Sequence, residues 1–279
     1  MPTLCYNGKN SQEGFMLSIH IPAPYQTSFT IHTNCTELAE SLRLKHGDYV
    51  KSCDCRTDYT IKAIKKRNLY EISFGDEIFT TDIPLRKIED IMYENRRYDK
   101  NVFAIHGGAV EYDGGAHLIV AATTGGKTTL TSYLSSNGFG YITDDCILVD
   151  RESFEVYPFN TPIHLRGGGY DVLKKLGCLP KDLQLLDDVS IKRYVYTPKN
   201  RITRPLPLRK IYFITRTEQE NRTEKMSTTE KITALLKSPI KNYAIDSDYL
   251  SFISKLARMP CEKLYYSNMA YVCEVIKNG

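Results

Sequence analysis

The chain has 279 residues, 42% hydrophobic and 25% charged, with a formal net charge of +4 at pH 7. That length holds one large domain or a small and a medium one, at roughly 100–200 residues each, and the composition is that of an ordinary globular protein. No apolar run approaches the roughly 20 residues needed to cross a bilayer, and MPTLCYNGKNSQEGF lacks the apolar stretch of a secretory signal, so a cytoplasmic protein without a membrane partner is expected.

Eight cysteines are scattered along the chain, and the one close pair, Cys53-x-Cys55, lacks the spacing of a zinc or thioredoxin site. Reduced thiols, mostly buried, are expected. Between Phe15 and Phe79 short β-like runs (FMLSIHI, SFTIH, YVKSCDC, TIKAIKK, NLYEISF) alternate with polar turns. One helix interrupts them over TELAESLRLKH, with Asn34 or Thr36 able to cap it and Leu38, Leu42 and Leu44 on its apolar side. A second helix is predicted from Pro84 to about Asn101, because Ile88, Ile91 and Met92 recur at helical spacing. Residues 1–100 thus read as a small α+β domain.

From residue 101 to 279 the pattern changes to short apolar, β-branched runs punctuated by glycine: VFAIHGGAV, AHLIVAA, YITDDCILVD and FEVYPF. A strand LRKIYFITR, helices over Thr229–Lys237 and Asp246–Arg258, a strand CEKLYYS and a last helix from Asn268 to Lys277 complete this second domain, an α/β core. Leu179 to Pro207 is the least patterned region and reads as a mobile loop over the site. Basic residues gather between Lys192 and Lys225, which reads either as a solvated strand and loop with ordinary basic residues or as a dock for phosphates or an acidic peptide, with Arg201 and Arg204 as candidate contacts. No helix-turn-helix, zinc or RNA-recognition signature accompanies them, so nucleic acid is not expected as a partner.

The segment AATTGGKTTL, Ala121 to Leu130, follows an apolar run and opens a helix-like stretch closed by Gly138. This is the setting of the phosphate-binding loop G-x-x-x-x-G-K-[ST], in which backbone N–H groups wrap phosphates, the lysine supplies a cation and the following hydroxyl meets Mg²⁺. Thr124, Gly125, Gly126, Lys127, Thr128 and Thr129 are the candidate nucleotide contacts; Ala121 replaces the first glycine. Downstream, Asp144 and Asp145 stand side by side, as needed for one carboxylate to hold Mg²⁺ and one to take the proton of an attacking hydroxyl. The alternative is a strand-end turn in which they cap backbone N–H groups. His106-Gly107 ends an earlier strand, and Arg166 precedes three glycines read as a flexible loop before a helix at Tyr170 to Leu176.

This order, an HG pair, a phosphate loop, LxxxGFxxxxDD and then P-I-x-L-R-G-x-G, resembles the catalytic domain of the HPr kinase/phosphorylase family over roughly Phe103 to Val172. The resemblance implies a P-loop nucleotide-binding core related to phosphoenolpyruvate carboxykinase. It also implies ATP and Mg²⁺ as cofactors and a peptide or small protein with an acceptor serine as partner. By the same resemblance Lys127 would bind phosphates and Thr128 the metal, Asp144 and Asp145 would divide the roles of base and metal ligand, His106 would sit beside the transferring group, and Arg166 would lie in the signature loop. Family kinship also makes a homo-oligomer possible. Ala121 and Thr124 stand where the family usually has glycine, and His164 where its signature has an acid. The first hundred residues do not resemble the N-terminal domain of true HPr kinases. These departures favour a divergent relative of the kind that phosphorylates ribosomally made peptides such as lasso-peptide precursors. The competing readings are an HPr-type carrier kinase, a nucleotide-binding regulatory module without transfer activity, and a carboxykinase-like enzyme acting on a small molecule.

Overall fold

The structure, a computed structural model, describes residues 15–20, 27–51, 57–97, 101–122, 124–188, 191–238 and 246–279. Contacts divide the chain into two compact units, Met1–Asp99 with Gln184–Val195, and Lys100–Leu183 with Tyr196–Gly279.

The first unit opens with β1 (Phe15–His20), β2 (Ser28–Thr33), α1 (Thr36–His46), β3 (Val50–Lys51), β4 (Tyr59–Lys66), β5 (Leu69–Phe74), β6 (Glu77–Thr81) and α2 (Pro84–Glu94). The strands form one sheet in the order β3-β1-β2-β4-β5-β6. Period-two alternation sends Phe29, Ile31, Ile61, Ala63 and Ile72 into a core completed by Leu38 and Leu42 of α1 and Leu85, Ile88, Ile91 and Met92 of α2. Neither Asn34 nor Thr36 caps α1. Cys35 is its N-cap without a side-chain bond, while Asn34 clamps the backbone of Lys65, accepting from its N–H at 2.7 Å and donating to its carbonyl at 3.3 Å. Pro84 opens α2 at a position where its missing N–H costs nothing. The helix ends at Glu94, well short of Asn101, where Asn95 folds its amide onto the Ile91 carbonyl and Arg97 N donates to Thr27.

The second unit begins with β7 (Val102–His106), β8 (Gly108–Tyr112), β9 (Gly115–Val120), α3 (Lys127–Ser136), β10 (Gly140–Thr143), β11 (Cys146–Asp150), β12 (Glu155–Tyr157), β13 (Ile163–Leu165) and α4 (Gly167–Lys175). The chain then contributes the antiparallel pair β14 (Gln184–Asp188) and β15 (Ile191–Tyr196), most of which belongs to the first unit, where α1 packs on β14. The middle of the segment read as a mobile loop therefore contributes two paired strands. It returns as β16 (Leu206–Arg216), β17 (Arg222–Lys225), α5 (Thr228–Leu236), α6 (Ser247–Leu256), β18 (Cys261–Tyr266) and α7 (Met269–Asn278).

The large mixed sheet of this unit runs β10-β8-β9-β16-β12-β11-β7, with β18 pairing β16 and β17. β9, β16 and β18 are parallel neighbours, the other pairings antiparallel. Both faces are covered. On one, Ala116, Leu118 and Val120 of β9 pack with Phe103, Leu235 of α5 and Tyr249, Phe252 and Ile253 of α6. On the other, Ile119 packs with Leu130 and Leu134 of α3 and Val272 and Ile276 of α7. A strand buried on both faces reads as a continuous apolar run, which is why HLIV lacks polar alternation. The fold is mixed α/β. Among the described residues no helix is long and apolar enough to cross a membrane. Cys35, Cys146, Cys261 and Cys273 are buried free thiols and Cys178 a half-buried one; Cys5, Cys53 and Cys55 lie outside the described residues.

Candidate functional site

The site forms where parallel strands end. β9 passes at Val120 into the loop 121–126, which delivers Lys127 as the first residue of α3. The N-cap is Gly126 at φ +85°, a left-handed conformation that a side chain would strain. A Cβ on Gly125 would stand 2.8 Å from the Ala121 methyl and 2.9 Å from the Ala122 oxygen, and one on Gly126 would stand 3.1 Å from the Tyr266 hydroxyl. The backbone here is thus packed so closely that only glycine fits without displacement. Lys127 is buried, and its ammonium donates to the carbonyls of Ala121 (3.0 Å) and Ala122 (3.2 Å). Burial pushes its pKa below the ordinary lysine value, and Asp145 and then Asp144 pull it back up. Both carboxylates therefore lie within electrostatic reach of the lysine.

Asp144 and Asp145 occupy the bend between β10 and β11, closed by Thr143 Oγ1 donating to the Cys146 carbonyl at 3.0 Å. Asp144 is half-buried and Asp145 exposed. β7 pairs with β11 so that His106 lies opposite Cys146, which sets the imidazole Nδ1 3.3 Å from Asp145 Oδ1 and 3.2 Å from its backbone oxygen. Gly107 N also points at the Asp145 carbonyl, at 3.3 Å. A Cβ on Gly107 would fall 2.8 Å from the Ile119 oxygen, so the turn between β7 and β8 lies close against β9.

Arg166 is exposed and is the N-cap of α4. The three glycines after it are the first turn of that helix, where a flexible loop was expected; the Tyr170 N–H closes onto the Arg166 carbonyl at 2.9 Å. Of the three glycines, only Gly169 is closely packed: a Cβ there would stand 2.7 Å from Thr129 Oγ1, in the first turn of α3, and the hydroxyl would have to turn aside. Two helix N-termini, with their exposed N–H groups, thus meet beside Lys127.

Arg216, Thr217, Glu218 and Ser267 line an open cleft at the ends of β16 and β18, a grouping that sequence reasoning missed, Arg216 having been noted there only as one of the basic residues. In register, Phe213 pairs Val120 and Arg216 pairs Tyr266, so these residues share the edge of the loop 121–126. Only the parallel pairing joins segments so distant in sequence; the pointer was a polar TRT directly after an apolar strand. Conversely, Arg201 and Arg204 are not part of the site. They line a small cavity with Glu111 and Gly114 at the β8–β9 turn, at the far end of β9, roughly 20 Å along a strand rising about 3.3 Å per residue. Several of the basic residues between Lys192 and Lys225 have partners of their own. Lys210 pairs with Glu262 at 3.1 Å, Arg222 with Glu220 and Glu224, and Arg209 packs on Gly115.

No protein-family model matches this chain, and no curated protein matches it. Among solved structures it is similar to the Hpr(Ser) kinase/phosphatase from Coxiella burnetii, at 15% identity and a TM-score of 0.32, over 63% of this chain and 91% of that one. A likeness that shallow assigns no residue.

Proposed function

We propose that the second unit is an ATP- and Mg²⁺-dependent kinase that phosphorylates a serine hydroxyl on a peptide or small protein, a ribosomally made precursor being the best-suited class. The observation that carries this reading is the convergence of a buried lysine at a helix N-terminus with two adjacent carboxylates and a histidine. The glycine-packed loop and the lysine suit a nucleotide phosphate chain, which the cleft at Arg216 and Ser267 would leave room to continue as the nucleoside. Among the described residues no group of three or more His, Cys, Asp or Glu could by itself hold a metal. Mg²⁺ in phosphoryl-transfer sites takes one or two carboxylates together with phosphate oxygens. Asp144 or Asp145, with the Thr128 hydroxyl, would hold it, and when bound it neutralises charge between the phosphates.

In this reading the serine oxygen forms a bond to the γ-phosphorus, the bond to the β,γ-bridging oxygen breaks, and ADP leaves. The serine proton passes to the aspartate that does not hold the metal. Lys127 has only to turn from the carbonyls of Ala121 and Ala122 towards phosphate. His106 fixes the Asp145 carboxylate, and the α4 N-terminus with Arg166 offers N–H groups and a guanidinium to the transferring group. The free thiols accord with work in a reducing cytoplasm. The test is incubation of candidate serine-containing precursor peptides and carrier proteins with the protein, Mg²⁺ and ATP, followed by mass spectrometry. A mass gain of one phosphate mapped to serine is expected. Nucleotide binding without transfer to any acceptor would support a regulatory module instead.

A further inference from the structure

The first unit ends its sheet on β6, and among the described residues β6 has no strand on its outer side. Edge strands in natural proteins are blunted by lysine, proline, bulges or extreme shortness. β6 has no lysine, proline or bulge, and Glu77 is its one charge: its sequence is EIFTT, and its pairing with β5 runs without a break from Phe74–Glu77 to Tyr70–Thr81. Ile78 is 68% exposed, the most exposed large apolar side chain among the described residues, and Thr80 beside it on the same face is exposed too. On the opposite face Phe79 is held by Lys87 of α2, whose ammonium lies 3.5 Å from the ring, so the strand is fixed from behind. Among the described residues no strand pairs with the outer backbone groups of β6, which are flanked by one apolar side chain.

Charge decides what fits there. Asp76 and Glu77 stand at one end of β6 and Asp82 at the other. A second copy pairing antiparallel about Phe79 would set Asp76 against Asp82 at both ends, a like-charge arrangement that destabilises cross-strand pairs. A strand with basic residues at its ends meets the opposite sign at both. We propose that β6 is a docking edge for an extended polypeptide segment of a partner, β-branched at its centre and carrying Lys or Arg at both ends, which adds to the sheet as a further strand. This goes beyond the kinase reading and does not depend on it, because the edge needs no nucleotide.

The test uses the full chain without nucleotide and three probe peptides: KTVTVTK, its charge-swapped form ETVTVTE, and KTVTVTK with alternate backbone amides methylated. Binding is read by fluorescence anisotropy and by hydrogen exchange of the Glu77–Thr81 amides. The basic-ended peptide is expected to bind about tenfold more tightly than the acidic-ended one at low salt, a preference that high salt erodes. It should slow exchange across β6, and methylation should abolish binding. Ile78→Lys, at an exposed position that leaves the core intact, should weaken binding of KTVTVTK about tenfold with an unchanged circular dichroism spectrum. Equal affinity for both charge forms, or no added protection of β6 at millimolar peptide, would overturn the proposal. Concentration-dependent self-association that protects β6 would overturn it in favour of a second copy.

Discussion

His106 and Asp145 meet across two strands, the imidazole Nδ1 3.3 Å from the carboxylate Oδ1 and 3.2 Å from the backbone oxygen of the same residue. A ring that reaches both atoms fixes the aspartate's side chain against its own backbone. The carboxylate is largely exposed, at 82%, and would otherwise sample many rotamers. In the proposed kinase, His106→Ala should therefore act through Asp145, lowering kcat more than it weakens nucleotide binding. His106→Gln, which can still reach across, should restore part of the loss.

Asp144→Asn and Asp145→Asn should each lower turnover by about 100-fold or more, the scale of lost general acid–base or metal assistance. Only one of them should also raise the Mg²⁺ concentration needed for half-maximal rate. Steady-state kinetics across a Mg²⁺ titration separate the two roles. Activity retained in both variants would reduce the pair to a turn that caps backbone N–H groups.

Lys127→Met should abolish transfer while leaving the melting temperature unchanged or higher. Burial depresses this lysine's pKa, so the folded state disfavours its charge, and the neutral thioether escapes that cost while losing only the two bonds to the loop carbonyls. A substantial drop in melting temperature, read by calorimetry, would show that the lysine holds the loop together.

Acid should destabilise the second unit through His117. This residue lies in β9, 5% exposed and stacked on Tyr212 with ring centroids 6.2 Å apart. Burial pushes its pKa down from 6.5 to about 4, with Lys210 and Arg209 adding to the shift. Between those values the unfolded chain binds a proton that the folded one refuses. Stability is thus fully present above pH 6.5 and declines as pH falls towards 4, by about 3 kcal/mol in all. Denaturant melts of wild type and His117→Phe at pH 7 and pH 4 should show the variant losing less on acidification.

Gly107→Ala should cost about 1–3 kcal/mol, the scale of overpacking a filled site, because the new methyl meets the Ile119 carbonyl at 2.8 Å and the Ile147 side chain at 2.7 Å. The same shift would pull the Gly107 N–H from the Asp145 carbonyl, so turnover should fall along with stability. Gly114→Ala, with open space around its Cβ but φ at +72°, controls for backbone strain away from the site.

The sequence made legible those features whose physics is local. Alternation marks β4, helical spacing marks α2, and the loop before Lys127 can be read because glycine and lysine have few reasons to recur in that order between a strand and a helix. Less was legible where neighbours are distant. The end of a strand at His106-Gly107 was legible, but not that β7 and β8 on either side of Gly107 pair with different partners, β7 with β11 and β8 with β9 and β10. Three glycines look like a flexible loop, yet they form a helical turn once Thr129 packs against Gly169. β6 was hidden because EIFTT is short and half polar, as an edge strand is. The helix expected from Thr229 starts at Thr228, after a reciprocal capping box that the sequence reading passed over, in which Ser227 and Glu230 satisfy each other's backbone N–H groups. The cleft at Arg216 and Ser267 exists only through the parallel register of β16 and β18.

The first unit takes back residues 184–195 from the middle of the second, and this has a consequence for synthesis. As the chain leaves the ribosome, the first ninety-nine residues cannot complete their unit; they must wait until β14 and β15 have emerged, by which time β7 to β13 are already exposed. The two units therefore mature in an interleaved order, not one after the other. A truncation at residue 100 would strand a hairpin, bearing the buried Leu186 and Val195, without the unit it belongs to. A cleaner dissection would carry β14 and β15 along with the first ninety-nine residues through an engineered linker, and close the gap in the second unit between Leu183 and Tyr196.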